Sequence, residues 1–213
     1  MFFANRNQAA DRLAVALEAF KGKHPLILAI PRGAVPMGQR LAKALGGELD
    51  VVLVRKLRAP FNPEFALGSI DESGWSYIAD YADSAGGTPA YLEQEKKAQL
   101  DTIKKRRTQY TPLRPPIDPA GRIVIVVDDG LATGATMISA LHALRAKKPA
   151  RLVCAVPVAP ADTLEKIQGY ADEVVCLSTP MFFQAVGQFY ADFPQVDDAE
   201  VIEILRQAGQ PRG

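Results

Sequence analysis

Two patterns of hydrophobic and polar positions alternate along the chain. Continuous apolar runs, which are typical of strands buried on both faces of a parallel sheet, lie at residues 25–30, 50–54, 122–127, 151–158 and 173–177. Between them, apolar side chains recur every three or four residues, as Leu13, Leu17 and Phe20 do, and this spacing predicts helices. The predicted helices of this alternation cover residues 8–20, 36–45, 135–147, 160–169 and 197–207. The order of elements predicts an α/β fold with about five parallel strands.

Residues 57–118 interrupt the alternation. Proline and glycine punctuate its first half, where the short runs FALGSI and WSYIA predict a small antiparallel hairpin. Residues 89–110 predict a charged helix, and the proline-rich segment TPLRPPIDP leads back towards the sheet. We therefore expect one domain over residues 1–213, with a core of residues 1–56 and 119–213 and an insertion at 57–118.

Composition excludes several classes of protein. The chain has 213 residues, of which 48% are hydrophobic, so a disordered chain is excluded. Lys plus Arg is 25 and Asp plus Glu is 24, and this balance argues against a nucleic-acid partner held by charge alone. The basic run at residues 104–107 is interpreted as a solvent-exposed helix face. No run approaches the roughly 18 apolar residues of a membrane span, so we expect no membrane partner.

Cysteine and histidine usage narrows the chemistry further. Cys154 and Cys176 lie inside apolar runs and are expected to be buried thiols. The chain has two histidines, His24 and His142, and neither accompanies a candidate nucleophile, which disfavours a Ser–His hydrolase or a histidine metal site. The N-terminus lacks the pattern of a signal peptide, and we expect a cytoplasmic location.

The loop after the third apolar run carries the most specific chemistry. Asp128 and Asp129 end the strand, and small or hydroxyl-bearing residues at 132–136 open the next helix. Backbone N–H groups at a helix N-terminus are suited to a phosphate, whereas adjacent carboxylates need a compensating hydroxyl or divalent cation. A plain helix cap would use the same residue types, but the acidic pair favours a ligand, and a sugar phosphate satisfies both ends of the loop.

The segment IVIVVDDGLATGAT resembles the phosphoribosyl-pyrophosphate motif of type I phosphoribosyltransferases. The similarity extends over nearly the whole chain, through IPRGAVP, VRKLRAPFNPEFALGSIDE, VPVAP and AVGQFYADF, to a branch known as predicted phosphoribosyltransferases. The resemblance implies a doubly wound parallel sheet with helices on both faces, plus a hood and a flexible loop. It implies that Asp128 and Asp129 bind the ribose hydroxyls. It also implies a 5-phosphate site formed by Ala132, Thr133, Gly134, Ala135 and Thr136.

Two further loops are assigned to pyrophosphate by the same resemblance. Arg32 and Gly33 follow the first strand, and we expect a non-proline cis peptide between them or one bond away. Arg55 and Lys56 end the second predicted strand and would face the leaving group. Residues 57–72 would be the mobile loop that closes over the reacting centre. An ordinary turn at the first loop and a solvated strand end at the second remain the alternatives.

The resemblance implies transfer of the 5-phosphoribosyl group from phosphoribosyl pyrophosphate to a nitrogenous base, with Mg²⁺ as cofactor. The expected catalytic residues are Arg32, Lys56, Asp128 and Asp129, with Asp128 as a metal ligand, directly or through water. The alternative is a non-catalytic sensor of phosphoribosyl pyrophosphate, and the presence of residues for the leaving group favours an enzyme.

The acceptor is the least determined part of the prediction. Ala132 and Ala135 stand where the 6-oxopurine branch has an acidic residue and a lysine. The segment PMFFQAVGQFYADF resembles the aromatic base-stacking stretch of that branch with one extra residue. We expect Phe182 or Phe183 to stack on a purine-like acceptor with Asp192 nearby. Aromatic packing under a C-terminal loop is the alternative, and the oligomeric state is left open, with a homodimer as one option.

Overall fold

The computed structural model describes residues 2–110, 112 and 116–209. In chain order the strands are β1 (Leu26–Ala29), β2 (Glu48–Val51), β3 (Val54–Ala59), β4 (Asn62–Asp71), β5 (Ser76–Ile78), β6 (Ile123–Val127), β7 (Arg151–Val158) and β8 (Glu173–Ser178). The helices are α1 (Arg6–Ala16), α2 (Val35–Leu45), α3 (Pro89–Tyr110), α4 (Ala135–Arg145), α5 (Ala161–Gln168) and α6 (Asp198–Ala208). Short 3₁₀ turns lie at Glu18–Phe20 and Val186–Phe189.

A five-stranded parallel sheet forms the centre of the molecule, in the order β2-β1-β6-β7-β8. The chain adds β2 on one side of β1, and it adds β7 and β8 on the far side of β6. The strand order therefore reverses between β1 and β6, and in open α/β sheets ligands bind beyond the carboxyl ends of the strands at such a point. The predicted doubly wound parallel sheet is confirmed.

Alternate side chains of the central strands enter two apolar layers, because successive residues of a strand point to opposite faces. Ile27 and its neighbours on that face pack with α1, α2 and α6. Leu28 and the other face pack with α4, where Met137 and Leu141 are fully buried. Helices thus cover both faces, as expected for strands that read as continuous apolar runs.

A second sheet of three antiparallel strands, β3-β4-β5, lies in the inserted region. The predicted pairing of FALGSI with WSYIA is confirmed by the register Gly68↔Ile78 and Ile70↔Ser76. Two sequence predictions about residues 50–56 are wrong. The apolar run at 50–54 was expected to form one strand, but it is divided between the two sheets, since β2 ends at Val51 and β3 begins at Val54.

Because of this split, Arg55 and Lys56 lie within β3 rather than at the end of the second core strand. Residues 57–72 form most of a β3–β4 hairpin, and the expectation that this segment is a mobile loop closing over the cleft stays a prediction. In β3, Leu57 and Ala59 are buried and Lys56 and Arg58 are exposed, since neighbouring side chains of a strand point to opposite faces. The second sheet thus has one strand more than the predicted hairpin.

The second sheet and α3 pack onto the core through polar as well as apolar contacts. Ser69 on β4 is fully buried, and its hydroxyl donates to the Ala135 carbonyl at 2.5 Å and lies 2.6 Å from the Ser139 hydroxyl. The hydroxyl of Tyr110, at the end of α3, donates to Asp198 of α6 at 3.2 Å. The inserted sheet is therefore anchored directly to the first turn of α4.

The first described residues pair with the segment that precedes α6. Phe3 forms a parallel bridge with Tyr190, and the N–H groups of Ala191 and Asp192 donate to the carbonyls of Phe3 and Ala4, each at 2.9 Å. Asn5 then caps α1 by accepting from the N–H of Gln8. This pairing fixes the start of α1 next to the C-terminal segment.

Cys154 is buried and Cys176 is partly buried, and both are free thiols. Within the described part of the chain, no helix has both the length and the apolar character needed to cross a membrane.

Candidate functional site

A cleft of about 550 Å³ opens at the carboxyl ends of β1 and β6, where the strand order reverses. Its lining residues come from the loop after β1, from β3, β4 and α3, from the loop after β6 and from the segment between β8 and α6. The polar and charged lining residues are Arg55, Lys56, Arg106, Asp128, Asp129, Thr133, Thr136 and Gln184.

One end of the cleft is the turn that begins α4. Gly134 caps the helix with φ of +76°, a left-handed conformation that favours glycine. A Cβ at this position would also lie 2.9 Å from Cγ2 of Thr163. The Thr163 hydroxyl donates to the Ala132 carbonyl at 2.6 Å and fixes the turn from behind. The first-turn N–H groups of α4 therefore face a preformed concavity, which suits a phosphate.

Asp128 and Asp129 lie at the base of the cleft. The N–H of Asp129 donates to Oδ1 of Asp128 at 2.8 Å. Burial raises the pKa of Asp128 well above its usual value, and the charge of Asp129 raises it further, whereas Lys56 and Arg6 oppose the shift. Burial also raises the pKa of Asp129, against the lowering effect of Arg6. Hydroxyl donors or a cation in the cleft would stabilise the ionised pair.

Arg6 is a site residue that the sequence analysis missed. Its Nε and Nη2 atoms each lie 2.9 Å from Oδ2 of Asp129, and its Nη1 donates to the Pro194 carbonyl at 2.6 Å. The guanidinium carbon lies 3.8 Å from the centre of the Phe193 ring. Arg6 and Asp129 are 123 residues apart, so no local motif could have indicated the pair.

The loop after β1 presses against the same carboxylate. The peptide between Pro31 and Arg32 is cis, so the prediction of a cis bond at Arg32–Gly33 or one bond away is confirmed at the earlier bond. A Cβ at Gly33 would overlap Oδ2 of Asp129, which explains why glycine stands here. Arg32 lines a separate pocket of about 360 Å³, which Arg6 also lines. Nη1 of Arg32 lies 3.7 Å from Oδ2 of Asp198.

The opposite end of the cleft is cationic. Lys56 lies on the exposed side of β3, and Nε of Arg55 donates to Oε1 of Gln99 on α3 at 2.9 Å. Burial lowers the pKa of Arg55, and the charges of Arg106, Arg58 and Arg32 lower it further.

The interpretation of residues 104–107 as a solvent-exposed face is half right. Lys104 and Lys105 are exposed. Arg106, by contrast, lines the cleft, and Arg107 is partly buried in a forked ion pair with Glu72. A helical wheel could have indicated the difference, because Arg106 lies three residues after buried Ile103 on the inward face.

The aromatic segment contributes less to the cleft than expected. Phe182 is 84% exposed, and Asp192 is exposed outside the cleft lining. Phe183 packs against Phe189 with ring centres 5.2 Å apart. It lines a neighbouring cavity of about 550 Å³ that shares Ala132, Thr133 and Ala135 with the main cleft. The main cleft is lined instead by Gln184 and Val186, which the sequence analysis did not single out.

The side chains at the base of the cleft determine whether a metal ion could bind there. Over the part of the chain that the structure describes, no group of three or more His, Cys, Asp or Glu side chains could hold a metal ion. Asp128 and Asp129 offer carboxylate oxygens, the ligand type that Mg²⁺ prefers. Two carboxylates fit a Mg²⁺ ion that takes most of its other ligands from substrate oxygens and water, as this ion usually does.

Comparisons with known proteins agree with this architecture. Residues 4–194 match the family model of the phosphoribosyl transferase domain. Two Mycobacterium tuberculosis proteins, MT0597 and Rv0571c, which are provisionally named phosphoribosyl transferases, are each 42% identical over 209 residues. The match covers 97% of this chain and 47% of theirs, so the chain spans about half the length of these relatives. The crystal structure of TT1426 from Thermus thermophilus is 44% identical, covers 99% of this chain and 100% of its own, and superposes with a TM-score of 0.82.

Proposed function

Because the chain belongs to the phosphoribosyl transferase family, we propose that it transfers the 5-phosphoribosyl group of phosphoribosyl pyrophosphate to a nitrogenous base and releases pyrophosphate. One observation carries the proposal. A single cleft presents a phosphate-binding turn at one end, a pair of carboxylates at its base and a group of cations at the other end. A ribose with a phosphate at one end and a pyrophosphate at the other matches this order.

Each part of the substrate has a candidate partner. Residues 132–136 at the start of α4 would bind the 5-phosphate through backbone N–H groups. Asp128 and Asp129 would accept hydrogen bonds from the ribose hydroxyls. Gly33, Arg55 and Lys56 would face the pyrophosphate. The Arg32 side chain points into the adjoining pocket with Arg6, so its contribution would come from that side or through the backbone of its loop.

The reaction needs positioning and charge stabilisation more than a covalent intermediate. A nitrogen lone pair of the acceptor forms a bond to the anomeric carbon, and the bond from that carbon to the pyrophosphate oxygen breaks with its electron pair leaving on pyrophosphate. Cations at the Arg55 and Lys56 end stabilise the negative charge that develops on the leaving group. The carboxylates at the base hold the ribose in place as positive charge develops on the ring.

Magnesium is part of the same proposal. Asp128, with Asp129, would hold the ion directly or through water, and the bound ion would neutralise charge on the ribose and pyrophosphate oxygens. The acceptor would enter from the side of Gln184 and Val186, with Phe183 as the nearest candidate stacking surface. Ala132 and Ala135 offer no charged group to a base edge, so recognition would rest on stacking and on the Gln184 amide.

The substrate assignment is tested by calorimetric titration with phosphoribosyl pyrophosphate in the presence of MgCl₂. We expect the double variant Asp128→Asn, Asp129→Asn to lose detectable binding, because neutral amides bind ribose hydroxyls and a divalent cation more weakly than carboxylates do. Asp83→Asn with Asp101→Asn removes the same charge from exposed positions of the insertion and should bind as wild type does. Equal binding by the Asp128, Asp129 double variant and wild type would refute the assignment.

The reaction itself is tested by pyrophosphate release with a panel of purine and pyrimidine bases. Release that depends on one base would identify the acceptor. Tight binding of phosphoribosyl pyrophosphate with no release for any base would favour a sensor instead.

A further inference from the structure

Helix α3 carries one row of residues that faces the rest of the protein. Glu95, Gln99, Ile103 and Tyr110 are buried, and their spacing of four, four and seven residues places them along one side of the helix. Arg106 falls in the same row, three residues after Ile103 and four before Tyr110. The helix therefore directs Arg106 inward, whereas its neighbours Lys104 and Lys105 face solvent.

The polar members of this row are already committed to other groups. Glu95 accepts from the backbone and side-chain nitrogens of Arg58 at 3.0 and 2.9 Å, and from Nε2 of Gln99 at 2.9 Å. The amide oxygen of Gln99 accepts from Nε of Arg55 at 2.9 Å. Glu95 thus pairs directly with Arg58, whereas Arg55 has a neutral hydrogen-bond partner in Gln99 and is affected by the charge of Glu95 without a direct ion pair.

Arg55 and Arg106 consequently form a cationic wall of the cleft. Both line it beside Lys56 and the apolar side chain of Phe65. Among the side chains that the structure describes, no ion pair joins a carboxylate to Arg55 or Arg106. Burial lowers the pKa of Arg55, and the charges of Arg106, Arg58 and Arg32 lower it further, whereas Glu95 opposes the shift. Neighbouring cations repel one another unless an anion lies between them.

We propose that Arg106 binds the pyrophosphate group of the substrate together with Arg55, so that helix α3 of the insertion forms part of the leaving-group site. The identity of the anion rests on the proposed function. The planar fork of an arginine suits phosphoryl oxygens, and a rigid helix holds that fork in place. Gln99 acts as a positioning residue that orients Arg55 for the same group.

The experiment titrates inorganic pyrophosphate, at a constant excess of MgCl₂, into wild type, Arg106→Gln and Lys105→Gln. We expect Arg106→Gln to weaken pyrophosphate binding by about tenfold or more, because it removes charge-assisted hydrogen bonds. Lys105→Gln removes the same charge one residue away on the exposed face, and screening should hold its effect to about twofold or less. Binding of ribose 5-phosphate, which uses the opposite end of the cleft, should stay the same in all three proteins.

Arg106→Lys provides a second variant that keeps the charge and the helix contacts. We expect pyrophosphate affinity between those of wild type and Arg106→Gln, with an unchanged thermal unfolding midpoint. Equal weakening by Arg106→Gln and Lys105→Gln would overturn the inference, as would wild-type protein that binds no pyrophosphate. If pyrophosphate binding depends on Arg106 but no base supports transfer, the inference stands and the proposed function fails.

Discussion

At the scale of single residues, the site depends on how Asp129 is held. Arg6 occupies one of its oxygens, and the guanidinium is itself fixed by the ring of Phe193 and the carbonyl of Pro194. Gly33 leaves room for the same oxygen from the other side. The carboxylate therefore has little freedom to rotate, and its second oxygen is the one available to a ligand.

Replacing Arg6 should disturb binding more than folding. We expect Arg6→Gln to reduce affinity for phosphoribosyl pyrophosphate by about tenfold, because the Asp129 carboxylate loses its charged, forked partner. Arg6→Lys should recover part of that loss. Arg12→Gln is the matched control, since Arg12 lies on the same helix with its guanidinium 5.5 Å from the Phe3 ring and away from the cleft. Wild-type affinity in Arg6→Gln, measured by calorimetry, would show that Asp129 needs no such partner.

A methyl group at Gly33 should also impair the site. Gly33→Ala places a Cβ on Oδ2 of Asp129, so either the carboxylate or the loop must move. We expect a loss of affinity for phosphoribosyl pyrophosphate of about tenfold or more, since displacement of a binding group by about 1 Å has effects of this size or larger. Gly169→Ala, at a position where a Cβ meets nothing within 4 Å, should bind normally in the same titration.

At the scale of elements, the apolar runs predicted the core well and the insertion poorly. The runs at β1, β6, β7 and β8 each form one strand, and the first three of these strands are buried, as a continuous apolar run predicts, whereas β8 lies at the sheet edge and is partly buried. The run VVLV around residues 51–54 is equally continuous, yet it serves two sheets, and nothing in its hydrophobicity marks the break. The inner face of α3 carries the polar residues Glu95 and Gln99, so the helix lacks the continuous apolar stripe that would have marked Arg106 as inward-facing.

The contact between β4 and α4 gives an element-scale prediction. Ser69→Ala removes the hydroxyl that donates to the Ala135 carbonyl and leaves the buried Ser139 hydroxyl without this partner. We expect a loss of about 1–3 kcal/mol in the free energy of unfolding, measured by urea denaturation. Ser84→Ala removes an exposed hydroxyl that also donates to a backbone carbonyl, and it should cost less than about 0.5 kcal/mol. Similar losses in the two variants would mean that β4 docks through its apolar contacts alone.

At the scale of the whole molecule, a net charge of +1 conceals a separation of charge across the cleft. The motifs after β1 and β6 could be predicted because each is a short local sequence with its own chemistry. Arg6 could not be predicted, because its role arises only when distant elements pack together, whereas helical periodicity alone could place Arg106 on the inner face of α3. Local sequence therefore indicated the loops that line the cleft, and the fold determined which side chains support them.

The pairing of residues 3–6 with residues 190–194 has a consequence for biosynthesis. The bridge from Phe3 to Tyr190 and the contacts of Arg6 with Asp129 and Pro194 join segments up to 188 residues apart, so one segment leaves the ribosome well before the other. Chains grow from the N-terminus, and contacts of such long sequence separation form late because their loop entropy must be overcome. A growing chain has Asp128 and Asp129 once residue 129 has emerged, but it lacks the ring and the carbonyl that hold Arg6 until residues 193 and 194 are free. We therefore expect the proposed substrate to bind tightly only after residue 194 has left the ribosome, too late to guide the earlier steps of folding.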